Sequence, residues 1–556
     1  MIRFDEEKQQ ENVKILREKE EEDLAQILSE KYGVQYVSLT AGQKIEPEAL
    51  KNIEETTARE AHIVAFAVLG KRLGVGTTTP THPNTQKVIE NLTKKGFEVV
   101  VYMISEHSLR AGLNAYESLH KTKESRAGVL AISEENVQHY VETIRSLEDS
   151  KKTIEDILVS TDPYHISMVI EAMVASALAL NASDIHLEPG EETTLLRFRL
   201  DGLLSDVLEF DNKTFNQLVS RTKLLSGLKL NIKNNAQDGR FTISLGEKEV
   251  EIRTSILPGD NGESIVMRIL NPDAISVTLN ELSIHPTILE VIKRELNKPN
   301  GMILNTGPTG SGKTTTLYAF LKHVKNPEIK VITIENPIEY HLSGVVQTQT
   351  SKGGLTFAEG LRSVVRQDPD VIMIGEIRDS ETAKIAVQAA LTGHLVFSTL
   401  HTNTAAATFS RLIDLGVDPK TLGAAMNVAM AQRLVRKLCE HCKEEVELEG
   451  AEKELLTSLL ETLPAGIEQP QTSTHFKPVG CSECFGKGYK GRIGIFDIVL
   501  VDDELEELLH QKGSPSQREI EEVSRKQGML TMKADATIKI LSGETSLAEV
   551  RRVIDL

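Results

Sequence analysis

Hydrophobic positions along the chain form short apolar runs and longer segments with helical spacing, and their order outlines the architecture. Residues 1–31 are dense in charge and lack proline and glycine, which predicts a solvated helix with Leu16, Leu24, Ile27 and Leu28 as a partial apolar face. Val34–Leu39 and Ile63–Leu69 read as strands between polar turns, Asn84–Lys95 as a helix, and Glu98–Ile104 as a buried strand. Together they predict a small α/β domain over 1–115. The polar stretch 116–150, with its Lys, Glu and Ser runs, predicts a linker of helical character. Pro163–Asn181 is apolar enough for a buried helix. Strands are predicted at Asp184–Leu187, Thr194–Leu200 and Leu203–Leu208, then a helix at Thr214–Leu225. Phe241–Leu245, Glu249–Ile256 and Ser264–Leu270 complete a second, α+β domain over 151–275. A helix at Pro286–Leu296 leads into a third region, 276–556, with buried strands at Gly301–Thr306, Val331–Ile334 and Val371–Ile374.

Length and composition fit this division. A chain of 556 residues implies roughly three or four domains. Its net charge of −18, from 63 basic and 81 acidic residues, argues against a general nucleic-acid binder. Trp is absent and aromatics make up 4%, so stacking platforms for single strands are scarce. No apolar run approaches the roughly 18 residues of a membrane span. The opening Met1-Ile-Arg-Phe-Asp-Glu-Glu-Lys has no export-signal core, which predicts a chain kept in the cytoplasm.

Between the strand Gly301–Thr306 and a helix predicted over Thr314–Val324 lies Gly307-Pro308-Thr309-Gly310-Ser311-Gly312-Lys313-Thr314, followed by Thr315. This is the phosphate-binding spacing G-x-x-x-x-G-K-[ST]. Glycines let the backbone curl so that its N–H groups point at phosphate, and the helix N-terminus adds positive potential. Lys313 is then expected on the β- and γ-phosphates of ATP, and the Thr314 hydroxyl on Mg²⁺. The strand Val371–Ile374 ends in Gly375-Glu376, so Glu376 is placed to hold Mg²⁺ directly or through water. After Val331–Ile334, Glu335 and Glu339 are candidates for a carboxylate that deprotonates the attacking water, or are surface acids of a loop. His394 and His401 flank one apolar strand and either sense the γ-phosphate or cap the strand. Arg362 and Arg366 share a helix face, and Arg253 and Arg268 lie on strands of the second domain. All four can make bidentate contacts to phosphate or stand in solvent. The only four cysteines form two pairs, Cys439-x-x-Cys442 and Cys481-x-x-Cys484, the ligand pattern of a structural Zn²⁺ site.

Ala182-Ser-Asp-Ile-His-Leu-Glu-Pro189, Arg197-Phe-Arg-Leu-Asp-Gly202 and Gln237-Asp-Gly-Arg240 resemble the second N-terminal domain of the type II secretion and type IV pilus assembly ATPases, the GspE/PilB family. Thr333–Tyr340 resembles that family's Asp box, Val371–Asp379 its Walker B segment, Thr392–Asn403 its His box, and Gly480–Gly494 its zinc-knuckle ending. The resemblance covers most of the chain. It implies a RecA-like P-loop motor domain with a zinc knuckle over 439–484, preceded by a partner-docking α/β domain and a PAS-like α+β domain. It further implies Glu339 as catalytic base and Glu376 as the Walker B glutamate. His394 and His401 would be His-box residues, and Arg253, Arg268, Arg362 and Arg366 phosphate-contacting arginines. The implied assembly is a homo-hexamer at the cytoplasmic face of the inner membrane. There it would work with a platform protein and a cytoplasmic adaptor, attached to the membrane only through these partners. Its second N-terminal domain would rotate against the motor and so lift pilin subunits into a pilus, or drive type II secretion. The zinc knuckle and the extra N-terminal domain favour assembly over the retraction branch. Two features depart from the pattern. Asn336 replaces the Asp of the family's Glu-Asp-Pro, which predicts modest slowing, with a regulatory subunit of little turnover as the extreme. Residues 34–105 also lack the full arginine- and glycine-containing repeat that binds cyclic di-GMP in some members, so that ligand is not expected.

Overall fold

A computed structural model describes residues 19–39, 45–120, 134–160, 162, 164–245, 248–272, 277–351, 353–464 and 466–556. Leu16 and the start of the expected first helix, and 121–133 of the expected linker, lie outside the described residues. The chain divides into two compact units, Met1–Ser133 and Glu134–Leu556. Among the described residues no helix is long and apolar enough to cross a membrane.

The first unit is built on strands β1 (Gln35–Tyr36), β2 (Ile63–Leu69), β3 (Arg72–Thr77) and β4 (Glu98–Met103), in the order β1-β4-β3-β2. Leu73 and Val75 alternate into a core with Ile63, Val64, Val88, Leu92 and Leu109. Helix Pro83–Lys94 starts with proline in its first turn and His82 as N-cap. The helix over 19–32 docks differently from its apolar pattern. Ala25 and Ser29 are buried, whereas Leu24 is 57% and Ile27 66% exposed. Glu22 sets this rotation, because its carboxylate accepts hydrogen bonds from Tyr36, Ser105 and Ser108.

The second unit carries two larger sheets. Strands β5 (Asp184–Pro189), β6 (Thr193–Leu200), β7 (Leu203–Asp211), β8 (Gln237–Leu245), β9 (Lys248–Gly259) and β10 (Gly262–Leu270) form an antiparallel sheet in the order β7-β6-β5-β10-β9-β8. One face is apolar, with Ile185, Leu187, Phe198, Phe241, Ile252 and Met267 buried. Helices His165–Ala179 and Asn212–Leu225 are buried with it, and helix Glu134–Thr143 from the expected linker and helix Leu147–Val159, which crosses its end, pack on the first of these. The opposite face carries a cross-strand row of charge, since Arg240 pairs with Arg253, Arg253 with Arg268, Arg268 with Asp184, and Asp184 with Arg199.

The third sheet contains β11 (Gly301–Thr306), β12 (Val331–Glu335), β13 (Val346–Gln349), β14 (Val371–Ile374), β15 (Leu395–Leu400), β16 (Met426–Leu438) and, beyond a separate antiparallel pair of β17 (Glu444–Glu447) and β18 (Thr474–Lys477), β19 (Tyr489–Leu500). Its order is β13-β12-β14-β15-β11-β16-β19, parallel except for the β16–β19 pair. Helices cover both faces, so β11, β12, β14 and β15 are buried throughout. Met302, Leu304, Ile332, Ile334, Ile372 and Ile374 face one core, and Ile303, Val331, Val371, Met373 and Phe397 the other. Parallel strands end on one side of the sheet, and a crevice there is where open α/β sheets bind ligands. The loops after β11, β12, β14 and β15 meet on that side. The two sheets of this unit touch through Arg253, whose Nη2 donates to the Ile338 carbonyl at 2.6 Å, and through Lys487 Nζ to Ser205 Oγ at 2.7 Å.

Candidate active site

The loop after β11 has the glycine geometry that its spacing demands. Gly307, Gly310 and Gly312 adopt φ of 151°, 80° and 88°, conformations costly for any residue with a Cβ. Helix Lys313–Val324 begins directly behind Gly312. Lys313 Nζ donates to the Gly307 and Pro308 carbonyls at 2.8 and 3.0 Å, so the ammonium lies inside the loop. Burial lowers the Lys313 pKa, Glu376 opposes this, and Arg433 adds to it. Ser311 Oγ is buried in the loop without a hydrogen-bond partner, as in a cradle shaped for a further polar ligand. Thr309 and Gly310 are exposed.

Glu339 stands opposite the start of this helix. Its carboxylate feels the charges of Arg253 and Arg268, which face each other across β9 and β10, and Thr314 lies near it. Burial dominates and raises its pKa, with Glu335 adding to the rise and both arginines and Thr314 opposing it. Arg253 is fixed by Glu251 Oε1 at 3.0 Å and by the Ile338 carbonyl, next to Glu339 in the chain. Arg253 of the antiparallel sheet thus reaches across to the loop that carries Glu339, with Arg268 beside it on β10.

Glu335 occupies a different place. It is buried, and its oxygens accept from Tyr318 Oη at 2.6 Å, Thr333 Oγ1 at 2.7 Å and Gln347 Nε2 at 3.1 Å. With Gln347 also donating to the Tyr340 carbonyl at 2.9 Å, this cluster holds the loop that carries Glu339. Asn336 is exposed, and the Asn336–Pro337 peptide is cis.

Glu376 follows β14 and is mostly buried. Its Oε2 meets Arg378 Nε at 2.7 Å and His401 Nε2 at 3.5 Å. Thr399 Oγ1 donates to the Gly375 carbonyl at 2.7 Å and Ser398 Oγ to that of Ile374 at 2.8 Å, which fixes the turn before Glu376. The structure therefore gathers Lys313, Thr314, Glu339, Glu376, His401, Arg253 and Arg268 around one crevice, with Glu335 beneath it.

Three predicted site residues lie elsewhere in the chain. His394 precedes β15, and its Nδ1 is 2.9 Å from the Ala389 carbonyl of helix Ser380–Leu391. The six-residue strand puts it about 20 Å from His401, too far for both to meet one nucleotide in one chain. Arg362 pairs with Glu381, and Arg366 Nη2 lies 3.3 Å from Ser363 Oγ, on an exposed helix flank.

Gln432 and Arg433 of β16 did not emerge from the sequence patterns. Gln432 Oε1 accepts from Asn305 Nδ2 and Thr316 Oγ1, both at 2.8 Å, and so ties the strand before the loop to the helix after it. Arg433 donates to the Asn403 carbonyl at 3.2 Å behind His401. Asp497 of β19 accepts from Ala405 N at 2.8 Å and anchors the same segment, and burial raises its pKa to about 6. A polar pair directly after the apolar run Val428–Ala431 of β16 was the available signal.

Cys439, Cys442, Cys481 and Cys484 converge between β16 and β19, with all four sulfurs within 4.8 Å of one another. Tetrahedral zinc with Zn–S near 2.3 Å sets sulfurs about 3.8 Å apart. The 439–481, 442–484 and 481–484 Sγ pairs lie at 3.8, 3.7 and 3.8 Å. Backbone N–H groups of Cys481 and Gly488 approach Cys484 Sγ at 3.1 Å, contacts suited to thiolate. The donor set and spacing fit zinc.

A mostly parallel sheet with this glycine loop, followed by carboxylates and a histidine at its strand ends, defines a P-loop nucleoside-triphosphate-binding protein. Residues 160–552 match the family model described as type II/IV secretion system protein, and the chain belongs to that family. It is 43% identical over 411 residues to the type II secretion system protein E of Pseudomonas aeruginosa, covering 74% of this chain and 80% of the relative. It is 34% identical over 535 residues to the type IV pilus assembly ATPase PilB of Myxococcus xanthus, covering 96% and 91%. The solved Legionella pneumophila ATPase DotB shares the fold at a TM-score of 0.50 and 23% identity, over 69% of this chain and 95% of that one.

Proposed function

We propose that this chain is a hexameric cytoplasmic ATPase that hydrolyses ATP to power assembly of a type IV pilus or pseudopilus at the inner membrane. Its family relatives are ATPases of secretion and pilus assembly, and ATP hydrolysis is the activity it shares with them. The observation that carries the reading is the phosphate loop with Lys313 inside it, beside the loop of Glu339 that Arg253 of the neighbouring sheet holds at the Ile338 carbonyl. Water beside the γ-phosphate would lose its proton to Glu339, while Lys313 and backbone N–H groups of 307–314 hold the phosphates. Arg253 and Arg268 would offset charge on the γ-phosphoryl group as it passes from ADP to water, and His401 would couple its presence to Glu376. Thr314 and Glu376 would hold Mg²⁺, which neutralises phosphate charge. Arg362, Arg366 and His394, remote within one chain, would face a neighbouring subunit's nucleotide in the hexamer. The four cysteines would hold a structural zinc. The segment up to residue 115 would dock the adaptor, and the motor would reach the membrane through that adaptor and the platform protein.

The match to PilB extends over 96% of the chain and so takes in the first unit, which favours pilus assembly. The higher identity to type II secretion protein E favours protein export as the second reading. Deleting the gene in its host tests the choice. Loss of surface pili with normal export supports assembly, loss of exported proteins supports secretion, and loss of neither contradicts both.

A further inference from the structure

We propose that Asp184 is a positioning residue that holds Arg268 toward the nucleotide; the inference rests on reading Arg268 as a residue that faces ATP. Asp184 lies on β5, directly across from Arg268 on β10 and from Arg199 on β6. Its side chain is only 5% exposed, whereas that of Arg268 is 57% exposed. Arg268 Nε donates to Asp184 Oδ1 at 2.9 Å, and Ser183 Oγ donates to Oδ2 at 2.8 Å. Arg199 Nε approaches Oδ2 at 3.4 Å. The carboxylate is therefore a fixed anchor, and the arginine is the free end.

A long exposed arginine carries substantial rotamer freedom, and a charge-assisted bond at its Nε restricts it while leaving the terminal nitrogens to a ligand. Arg253 shows the same construction, with Nε on Glu251 Oε1 at 3.0 Å and Nη2 reaching the loop of Glu339. Each of the two arginines that act on Glu339 thus has its own carboxylate behind it, and neither carboxylate is among the groups around the phosphate loop. Asp184 acts through Arg268 and touches no substrate.

Steady-state kinetics of the full chain test this. Asp184→Ala should lower kcat about tenfold with KM within about threefold, because the lost restraint matters for an interaction made in the transition state. Asp184→Asn, which keeps one acceptor for Arg268, should recover part of that loss. Combining Asp184→Ala with Arg268→Gln should be no slower than Arg268→Gln alone, within about twofold, as expected for residues acting as one unit. Arg199→Gln removes the other ion pair and should leave kcat within about twofold. Effects that multiply in the double variant, or an unchanged kcat in Asp184→Ala, would overturn the inference. An unchanged kcat in Arg268→Gln would instead overturn the reading of Arg268 beneath it. If Asp184→Ala fails to fold by circular dichroism, Asp184→Asn carries the same comparison.

Discussion

At the scale of single residues, the charge state of Glu339 sets how the site should respond to pH. A general base works ionised, and burial raises the Glu339 pKa while Arg253 and Arg268 oppose the rise. Turnover should therefore fall as pH drops through that raised pKa. Replacing Arg253 with Gln removes a charge that favours the ionised form, so the acid limb of the kcat/KM profile should move to higher pH. An unmoved limb would mean that another group limits the rate. Asp497 offers a separate test in stability. Its folded pKa of about 6 lies above the ordinary 3.8, so its contribution is fully present below the unfolded value and lost as pH rises through about 6. Two units correspond to on the order of 3 kcal/mol. Asp497→Asn keeps an acceptor for Ala405 and should flatten the fall in apparent melting temperature between about pH 4 and 6.5. Lys313 and Thr314 were legible because their spacing to glycines is a local signal. Gln432 lies more than 100 positions from the loop it braces, so only the β11–β16 pairing reveals its role.

Among the elements, those with continuous apolar runs were the ones the chain announced. Strands β11, β12 and β14 are buried on both faces, so every residue must be apolar or hydrogen-bonded, and the pattern is plain. Strand β3 is hidden because Gly74 and Gly76 replace side chains, and a Cβ on Gly76 would fall 2.7 Å from Ile104 Cγ2. The predicted strand Val34–Leu39 shrinks to two residues. Histidines at the two ends of β15 looked equivalent in sequence, and strand direction separates them. The phosphate loop itself predicts a sharp substitution effect. Gly312 combines φ of 88° with a Cβ position 2.8 Å from Gln432 Nε2. Gly312→Ala should weaken ATP binding at least tenfold in a fluorescent-nucleotide titration, and wild-type affinity would contradict the loop's role. The four-cysteine cluster closes the β16–β19 pair. Elemental analysis should find one zinc per chain, and Cys439→Ser should lower both zinc content and melting temperature, since structural zinc contributes folding energy directly.

On the scale of the whole molecule, the charged face of the antiparallel sheet meets the mouth of the motor's crevice, and Arg253 crosses between them. Any motion that separates these sheets would break the contact of Arg253 with the Ile338 carbonyl, beside Glu339. The apolar runs announced most strands of both sheets, but not this contact, because arginines on strands look alike whether they face solvent or a partner. In the proposed mechanism Glu339, as the base that activates water, is the residue on which ATP hydrolysis depends most directly. Steady-state ATP hydrolysis by the purified chain, compared with Glu339→Gln, measures this directly. The wild-type chain should turn over ATP, and the variant should bind nucleotide with similar affinity but hydrolyse it at least about 100-fold more slowly. Equal rates in the two proteins, or tight binding without turnover in the wild type even with the membrane platform protein added, would contradict it.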